Sequence, residues 1–325
     1  HGRAAMFALW AGRGNARGAR IAIRPGAQRR ERGHRFYTRR SARSGGRFVP
    51  ILNGSARRYC ERRDIAKMET IDFAEYEKQY FVTLRKPPGG KREFELKSLA
   101  ESGGARDFVN AYAPMIKAQS HDVAATYFAS WFGRVCAAFQ YALWHDAAHI
   151  DLSLHNLALQ FVDRPQGTAL MFRLKNAEVS GISDAERAGR IAKYMELFYG
   201  GQVRPLLETV AQAGGVSVGM LWGMVATAMH YIRDVWVAQA DSDERKARLS
   251  HDTDMLFYRL EPGIFGRKRN PFDIKFRMVE NPKQPGSMMR LKASCCLAFK
   301  TDTGHGYCYT CPRLTDAERE RMKTT

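Results

Sequence analysis

The sequence has few cysteines, no long apolar run and, near its start, few acidic residues. The first two absences exclude classes of protein, as follows. Six cysteines in 325 residues are too few for a secreted scaffold held together by disulfides. The longest uncharged stretch, between Glu208 and Arg233, contains two adjacent glycines and a histidine, so it indicates a buried helix rather than a bilayer span. No signal-peptide pattern is present, because the early apolar run at residues 4–10 is short and followed by arginines.

The formal charge of +19 belongs almost entirely to one segment. Residues 1–67 hold 18 Lys and Arg against 3 acidic residues, whereas the other 258 residues hold 34 basic and 30 acidic side chains. Composition becomes ordinary at Met68, so we expect residues 1–67 to be an Arg/Gly-rich extension that is disordered or foreign to the native protein. A basic tail that binds RNA or membrane phosphates and a mitochondrial-type presequence are the alternatives. Because the remainder is nearly neutral, we expect no nucleic-acid partner for it.

The spacing of apolar residues predicts a mainly helical α+β protein with a small antiparallel hairpin or sheet. A single domain over residues 68–285 is followed by a cysteine-rich C-terminal segment over 286–325. The helical patterns cover residues 105–145, 184–199, 203–213 and 216–240, and the charged stretch 241–250 indicates a solvated face or a short helix. The strand patterns cover 150–161, with a break at His155-Asn156, then 168–174 beyond the turn DRPQG, and 272–278.

Four of the six cysteines lie within 17 positions, in the arrangement C-C-x11-C-x2-C formed by Cys295, Cys296, Cys308 and Cys311. The three-residue step from Cys308 to Cys311 allows a tight backbone turn to aim both sulfurs at one metal. Adjacent cysteines point to opposite sides of a regular strand, so they reach one site only if the backbone kinks or if each approaches a different atom. This spacing favours a 2Fe–2S cluster, which has two iron atoms, with all four cysteines as its ligands.

Structural zinc, disulfide chemistry and free thiols remain the alternatives for these four residues. Gly304 and Gly306, between the two cysteine pairs, are small enough to bring backbone N–H groups close to inorganic sulfide. Thr315 to Glu318 form a capping-box pattern that predicts a final helix. Cys60 lies in the basic extension, and Cys136 lies on a helical apolar pattern, so we interpret both as structural.

Ser294-Cys295-Cys296-Leu297, followed by Cys308-Tyr309-Thr310-Cys311-Pro312, resembles the C-terminal signature of the FhuF-like ferric-siderophore reductases. The stretch Leu221-Trp222-Gly223 also resembles a helix of that family. Together the two matches span residues 200–314. The gap between the cysteine pairs is 11 residues here, one more than in the family pattern.

The resemblance implies a cytoplasmic enzyme whose 2Fe–2S cluster passes one electron to a ferric siderophore, with hydroxamate chelates as the expected substrates. It implies an electron donor that the sequence does not identify, and at most peripheral association with the inner face of the membrane. A non-catalytic protein that binds a ferric siderophore or carries a cluster, and a structural zinc protein, are the alternative functions.

Other polar residues give weaker signals. His145 and His149 have the spacing of two ligands on one helix face, but HDAAH lacks the glutamate of the zinc-protease motif HExxH. His155-Asn156 indicates a turn, with a substrate-facing pocket as the alternative. Arg233 and Arg290 indicate ion-paired surface residues, with an anionic chelate as the alternative partner. No GxxxxGK[ST] phosphate loop is present, which disfavours a siderophore synthetase that activates acids with ATP.

Overall fold

The computed structural model describes residues 71–86, 93–165 and 167–323. The predictions for the basic extension 1–67, including Cys60, lie outside these residues. Nine α-helices are formed within the described ranges: α1 Phe73–Tyr80, α2 Leu96–Leu99, α3 Ser102–Met115, α4 His121–Trp144, α5 Asp184–Met195, α6 Arg204–Gly214, α7 Val218–Gln239, α8 Asp243–Asp254 and α9 Asp316–Arg321. A π-helical segment, Glu196–Val203, joins α5 to α6, and another, Met255–Arg259, extends α8.

The described ranges also contain two 3₁₀-helices, Pro262–Phe265 and Ala298–Lys300, and eight short strands: β1 Val82–Thr83, β2 Glu93–Glu95, β3 Ala148–Ile150, β4 Leu157–Arg164, β5 Gly167–Leu174, β6 Val179–Gly181, β7 Met278–Glu280 and β8 Met288–Arg290. They form a four-stranded sheet of order β1-β5-β4-β2 and two two-stranded sheets, β3-β6 and β7-β8. All pairs are antiparallel except β1 with β5. The protein is therefore mainly helical α+β with small antiparallel sheets, as its sequence predicts.

The centre of the molecule is the packing of α4 against α7. Gly133 of α4 faces Ala228 of α7 so closely that a Cβ atom at residue 133 would lie 2.7 Å from the Ala228 methyl group. The predicted apolar stripe of α7 is in the core, with Leu221, Val225 and Met229 fully buried. None of the described helices combines the length and the apolar run needed to cross a bilayer.

The helical prediction for residues 105–145 is confirmed as two helices, because the chain turns at Lys117, whose φ is 51°, after Pro114 in the last turn of α3. One sequence prediction of a strand is wrong. Residues 272–278 are not a strand. Phe272 instead packs its ring against Trp222 and Phe257, and strand pairing in this segment begins at Met278.

The remaining predictions of elements are confirmed with small shifts. The β4–β5 hairpin runs from Leu157 paired with Leu174 to Arg164 paired with Gly167. The predicted break at His155-Asn156 is a turn, in which the Asn156 amide donates to the carbonyl oxygen of Asp151 at 2.7 Å. The capping box is formed, since Thr315 accepts from the N–H of Glu318 and the Glu318 carboxylate accepts from the N–H of Thr315.

Candidate metal centre

The cysteine segment, residues 291–314, first lies against α7. The N–H of Ala293 donates to the Thr227 hydroxyl at 3.0 Å, and that hydroxyl donates to the carbonyl oxygen of Gly223 one turn earlier at 2.7 Å. Ser294 then passes over Gly223, which presents no side chain to it. A threonine and a glycine spaced four residues apart on one helix face thus hold the chain immediately before the adjacent cysteines.

The N-terminal end of α4 holds the same segment from the other side. The Thr126 hydroxyl donates to the carbonyl oxygen of Cys296 at 2.9 Å. The Lys300 ammonium forms an ion pair with Asp122 at 2.6 Å, and the Gln119 N–H donates to the carbonyl oxygen of Lys300 at 2.9 Å. The site is therefore built on the two helices that form the centre of the fold.

The CxxC turn is fastened from the C-terminal side by a buried arginine. Arg319 of α9 is 3% exposed, and its guanidinium donates to the carbonyl oxygens of Cys311 at 3.1 Å and Tyr309 at 3.0 Å. The Lys292 N–H donates to the carbonyl oxygen of Thr310 at 3.0 Å, which ties this turn to the strand-like chain before Cys295. Each backbone contact leaves the cysteine side chains free to face one another.

Backbone kinks make the convergence of the thiols possible. Leu297 has a φ of 59°, a left-handed conformation that is costly for a residue with a Cβ atom. The turn lets the Leu297 N–H donate back to the Cys295 sulfur at 3.4 Å. Gly304 and Gly306 have φ values of 69° and 63°, which glycine adopts without that cost. The kink that adjacent cysteines need to serve one site is therefore present.

The four thiols approach one another in a chain of contacts. The Cys295 and Cys311 sulfurs are 3.5 Å apart, and Cys308 hydrogen-bonds to both Cys296 and Cys311. Cys295, Cys296 and Cys311 are 5%, 2% and 1% exposed, whereas Cys308 is partly exposed. The four cysteines are therefore in contact with one another, and the site has one edge that water reaches.

Hydrogen bonds among the four thiols lower the pKa of two of them and raise the pKa of the other two. Contacts with Cys296 and Cys311 lower the pKa of Cys308, and the contact with Cys311 lowers the pKa of Cys295 to about 6. The corresponding contacts raise the pKa values of Cys296 and Cys311. Thiolates are the form that binds metals, and the contacts among these thiols favour the thiolate at Cys295 and Cys308.

A lysine lies against the thiols. The Lys292 ammonium is 3.5 Å from the Cys296 sulfur. Burial acts to lower the pKa of Lys292, but the negative charge of Cys296 and Cys308 outweighs it and raises that pKa. Tyr127 of α4 is also close, since burial and then the charges of Cys296 and Cys308 raise its pKa. The site therefore favours negative charge at its sulfurs.

The four thiols provide the ligand types of a two-iron cluster. The described side chains are not arranged as a ready-made metal site of three or more His, Cys, Asp or Glu ligands. The thiols are in contact in the order Cys295, Cys311, Cys308, Cys296, and a 2Fe–2S cluster takes four thiolates over two iron atoms. The Thr310 hydroxyl is buried with no hydrogen-bond partner among the described residues. A hydroxyl in that state suits an inorganic sulfide nearby.

The other sequence candidates form no second site. His145 is at the end of α4 and stacks on Tyr141, whereas His149 is in β3 and stacks on Tyr194, so the pair does not share a helix face. Arg233 lies 3.9 Å from Asp254, and Arg290 is ion-paired with Asp234. Cys136 is fully buried in α4, where burial raises its pKa, consistent with a structural role.

Sequence reasoning missed the residues that support the thiols: Thr126, Thr227, Lys292 and Arg319. The contact between Thr126 and Cys296 spans 170 positions, and that between Ala293 and Thr227 spans 66. No local spacing encodes such contacts. Arg319 is the residue of this group that the sequence could have indicated. It directly follows the capping box, in a predicted short helix close to the CxxC turn.

Comparison with protein-family models gives no match to this chain, and comparison with curated proteins gives none either. The likeness to the siderophore reductases therefore rests on the residues themselves.

Proposed function

We propose that this chain is a ferric-siderophore reductase that holds a 2Fe–2S cluster on Cys295, Cys296, Cys308 and Cys311. The observation that carries the proposal is the convergence of these four thiols in one largely buried place, with two of them 3.5 Å apart. A cluster bound there supplies one-electron transfer at a potential set by its surroundings. The substrates are ferric chelates of hydroxamate type, met in the cytoplasm.

One electron is sufficient to release iron from such a chelate. Siderophores hold Fe(III) with hard oxygen donors, and these donors bind the larger, less charged Fe(II) far less well. The electron comes from a reduced one-electron donor, the Fe(III) becomes Fe(II), and the freed oxygen donors take up protons from water. No acid–base group of the protein is required for this exchange.

The protein's own residues provide position and exclusion of water. Thr126 and Thr227 fix the adjacent cysteines against α4 and α7, and Arg319 fixes the CxxC turn. Three buried cysteines shield the site, while the edge at Cys308 stays accessible beside the exposed Tyr307 and Arg313. A chelate docking at that edge comes within electron-transfer reach of the thiols.

The two parts of the family resemblance support the proposal because they are neighbours in the fold. Gly223, of the stretch Leu221-Trp222-Gly223, lies directly beneath Ser294, which opens the cysteine signature. Residues 221–223 are therefore interpreted as part of the seat for the cysteine segment rather than as an unrelated helix.

The full chain, purified without oxygen or reconstituted with iron and sulfide, tests the cofactor. We expect a red-brown protein with about two iron atoms and two acid-labile sulfides per chain. Cys308→Ser should lose the colour and the iron, whereas the matched variant Cys136→Ala should keep both. A colourless protein with one zinc ion per chain would identify a structural zinc site and overturn the proposal.

A second measurement separates a reductase from a passive binder. The protein is reduced with dithionite, freed of excess reductant and mixed with a ferric hydroxamate and a strong Fe(II) chelator. A reductase is reoxidised while the Fe(II) complex forms in equal amount. If the protein binds the ferric hydroxamate but is not reoxidised by it, the function is binding of a siderophore by a cluster-carrying protein, and the reductase proposal is wrong.

A further inference from the structure

Lys292 is held more firmly than an ordinary surface lysine. Its own N–H donates to the Thr310 carbonyl oxygen at 3.0 Å. The preceding Leu291 N–H donates to Arg277 at 2.9 Å, and the following Ala293 N–H donates to Thr227 at 3.0 Å. Three consecutive backbone groups are thus fixed, and the side chain that they carry reaches the Cys296 sulfur at 3.5 Å.

Lys292 also differs from the other cations of the cysteine segment. Lys300 is neutralised by Asp122 at 2.6 Å, and Arg313 is exposed, so water screens its charge. Lys292 is partly buried, and its ammonium contacts the Cys296 sulfur. Coulomb interactions are strongest at contact distance and away from water. Its positive charge therefore acts on the thiol group with the least screening.

We propose that the Lys292 ammonium is a fixed counter-charge that raises the reduction potential of the cluster held by the four cysteines. This inference rests on the proposed function, because it concerns the cofactor of that site. Taking up one electron makes the cluster and its thiolates more negative by one charge. A cation in contact with Cys296 stabilises that reduced state more than the oxidised state, and electrostatics of this kind set iron–sulfur potentials. Lys292 acts only through its fixed positive charge and transfers no electron itself.

The test is the midpoint potential of the full chain, measured by a dithionite titration followed by visible absorption and by electron paramagnetic resonance. Lys292→Met and Lys292→Gln remove the charge, Lys292→Arg keeps it, and Lys283→Met removes a charge from the exposed β7–β8 turn. We expect both neutral variants to shift the reduction equilibrium at least tenfold toward the oxidised state, which is about 59 mV for a one-electron couple. Lys292→Arg and Lys283→Met should stay near the wild-type midpoint.

The outcomes distinguish this inference from the proposed function. A wild-type chain that binds no cluster removes the proposed function itself. Neutral variants with a normal cluster and an unchanged midpoint overturn the role of Lys292 and leave the proposed function intact. If the neutral variants lose the cluster while Lys292→Arg retains it, the positive charge is needed even for cluster binding, which supports the counter-charge. Loss in all three Lys292 variants would show a packing role and overturn the inference.

Discussion

Gly223 and Ser294 lie so close together that a Cβ atom at residue 223 would be 2.1 Å from the Ser294 hydroxyl oxygen and 3.0 Å from its Cβ. The hydroxyl rotates away easily, but the Ser294 Cβ is attached to a backbone that is hydrogen-bonded to α7 through Ala293. The absence of a side chain at residue 223 is therefore what lets the cysteine segment seat on this helix.

Gly223→Ala should displace the cysteine segment and lower the free energy of unfolding by about 1 kcal/mol, because overpacking outweighs the helical preference of alanine. Iron content after reconstitution should fall as well. Gly103→Ala is the control, since nothing lies within 4 Å of the added methyl group in α3, and it should not reduce stability. Equal behaviour of the two variants, in urea unfolding and in iron content, would contradict this account.

Arg319→Met should loosen the CxxC turn. The substitution keeps a long side chain but leaves the carbonyl oxygens of Tyr309 and Cys311 without their guanidinium donor. Loss of hydrogen bonds to a buried charged group costs about 2–3 kcal/mol. We expect a lower melting temperature and faster loss of iron to a chelator. Arg321→Met, on the exposed side of the same helix, should leave iron loss at the wild-type rate. A similar effect of both variants would contradict a specific role for the hydrogen bonds from Arg319 to the CxxC turn.

Buried His230 predicts a loss of stability in mild acid. Its Nε2 lies 2.8 Å from the Phe272 carbonyl oxygen, and burial, aided by the charges of Arg290 and Arg233, lowers its pKa to about 4. The unfolded chain therefore takes up a proton near pH 6.5 that the folded chain takes up only near pH 4. Stability is fully present above pH 6.5 and falls as the pH drops toward 4, by on the order of 3 kcal/mol.

Urea unfolding at pH 7 and pH 5 measures this dependence. His230→Gln keeps a donor for Phe272 but cannot titrate, so its stability should change less between the two pH values than that of the wild type. His155→Gln, at an exposed turn position, should retain the full wild-type change. A wild-type pH dependence in His230→Gln would assign the acid sensitivity to other groups.

The parts of the fold that are encoded locally could be predicted from the sequence. The β4–β5 hairpin has alternating apolar residues on both sides of a turn signal, and α9 has a capping box. The turn between α3 and α4 falls at residues 116–120, which the helical prediction for residues 105–145 does not single out. The segment beginning at Phe272 has a strand-like pattern. The Phe272 ring, however, packs against Trp222 and Phe257, and such contacts between residues distant in the chain cannot be predicted from local spacing.

The site divides in the same way. Cys295, Cys296, Cys308 and Cys311 are recognisable because their spacing is itself the signal. Lys292 lies four positions before Cys296, yet in irregular chain that interval does not determine whether two side chains meet. The backbone that carries it is fixed by hydrogen bonds from Lys292 to Thr310, from Leu291 to Arg277 and from Ala293 to Thr227. These partners become neighbours only after the helices have packed.

If the chain is the proposed reductase, the unequal exposure of the four thiols has a kinetic consequence. Three are buried, and the fourth, Cys308, opens on one edge, so the electron donor and the ferric chelate would have to use the same edge in turn. Turnover in that case follows a ping-pong scheme, in which the donor leaves before the chelate binds. Steady-state rates measured against both reactants should give parallel double-reciprocal lines, with each reactant inhibiting competitively against the other at high concentration. Intersecting lines would require a second route for electrons into the protein.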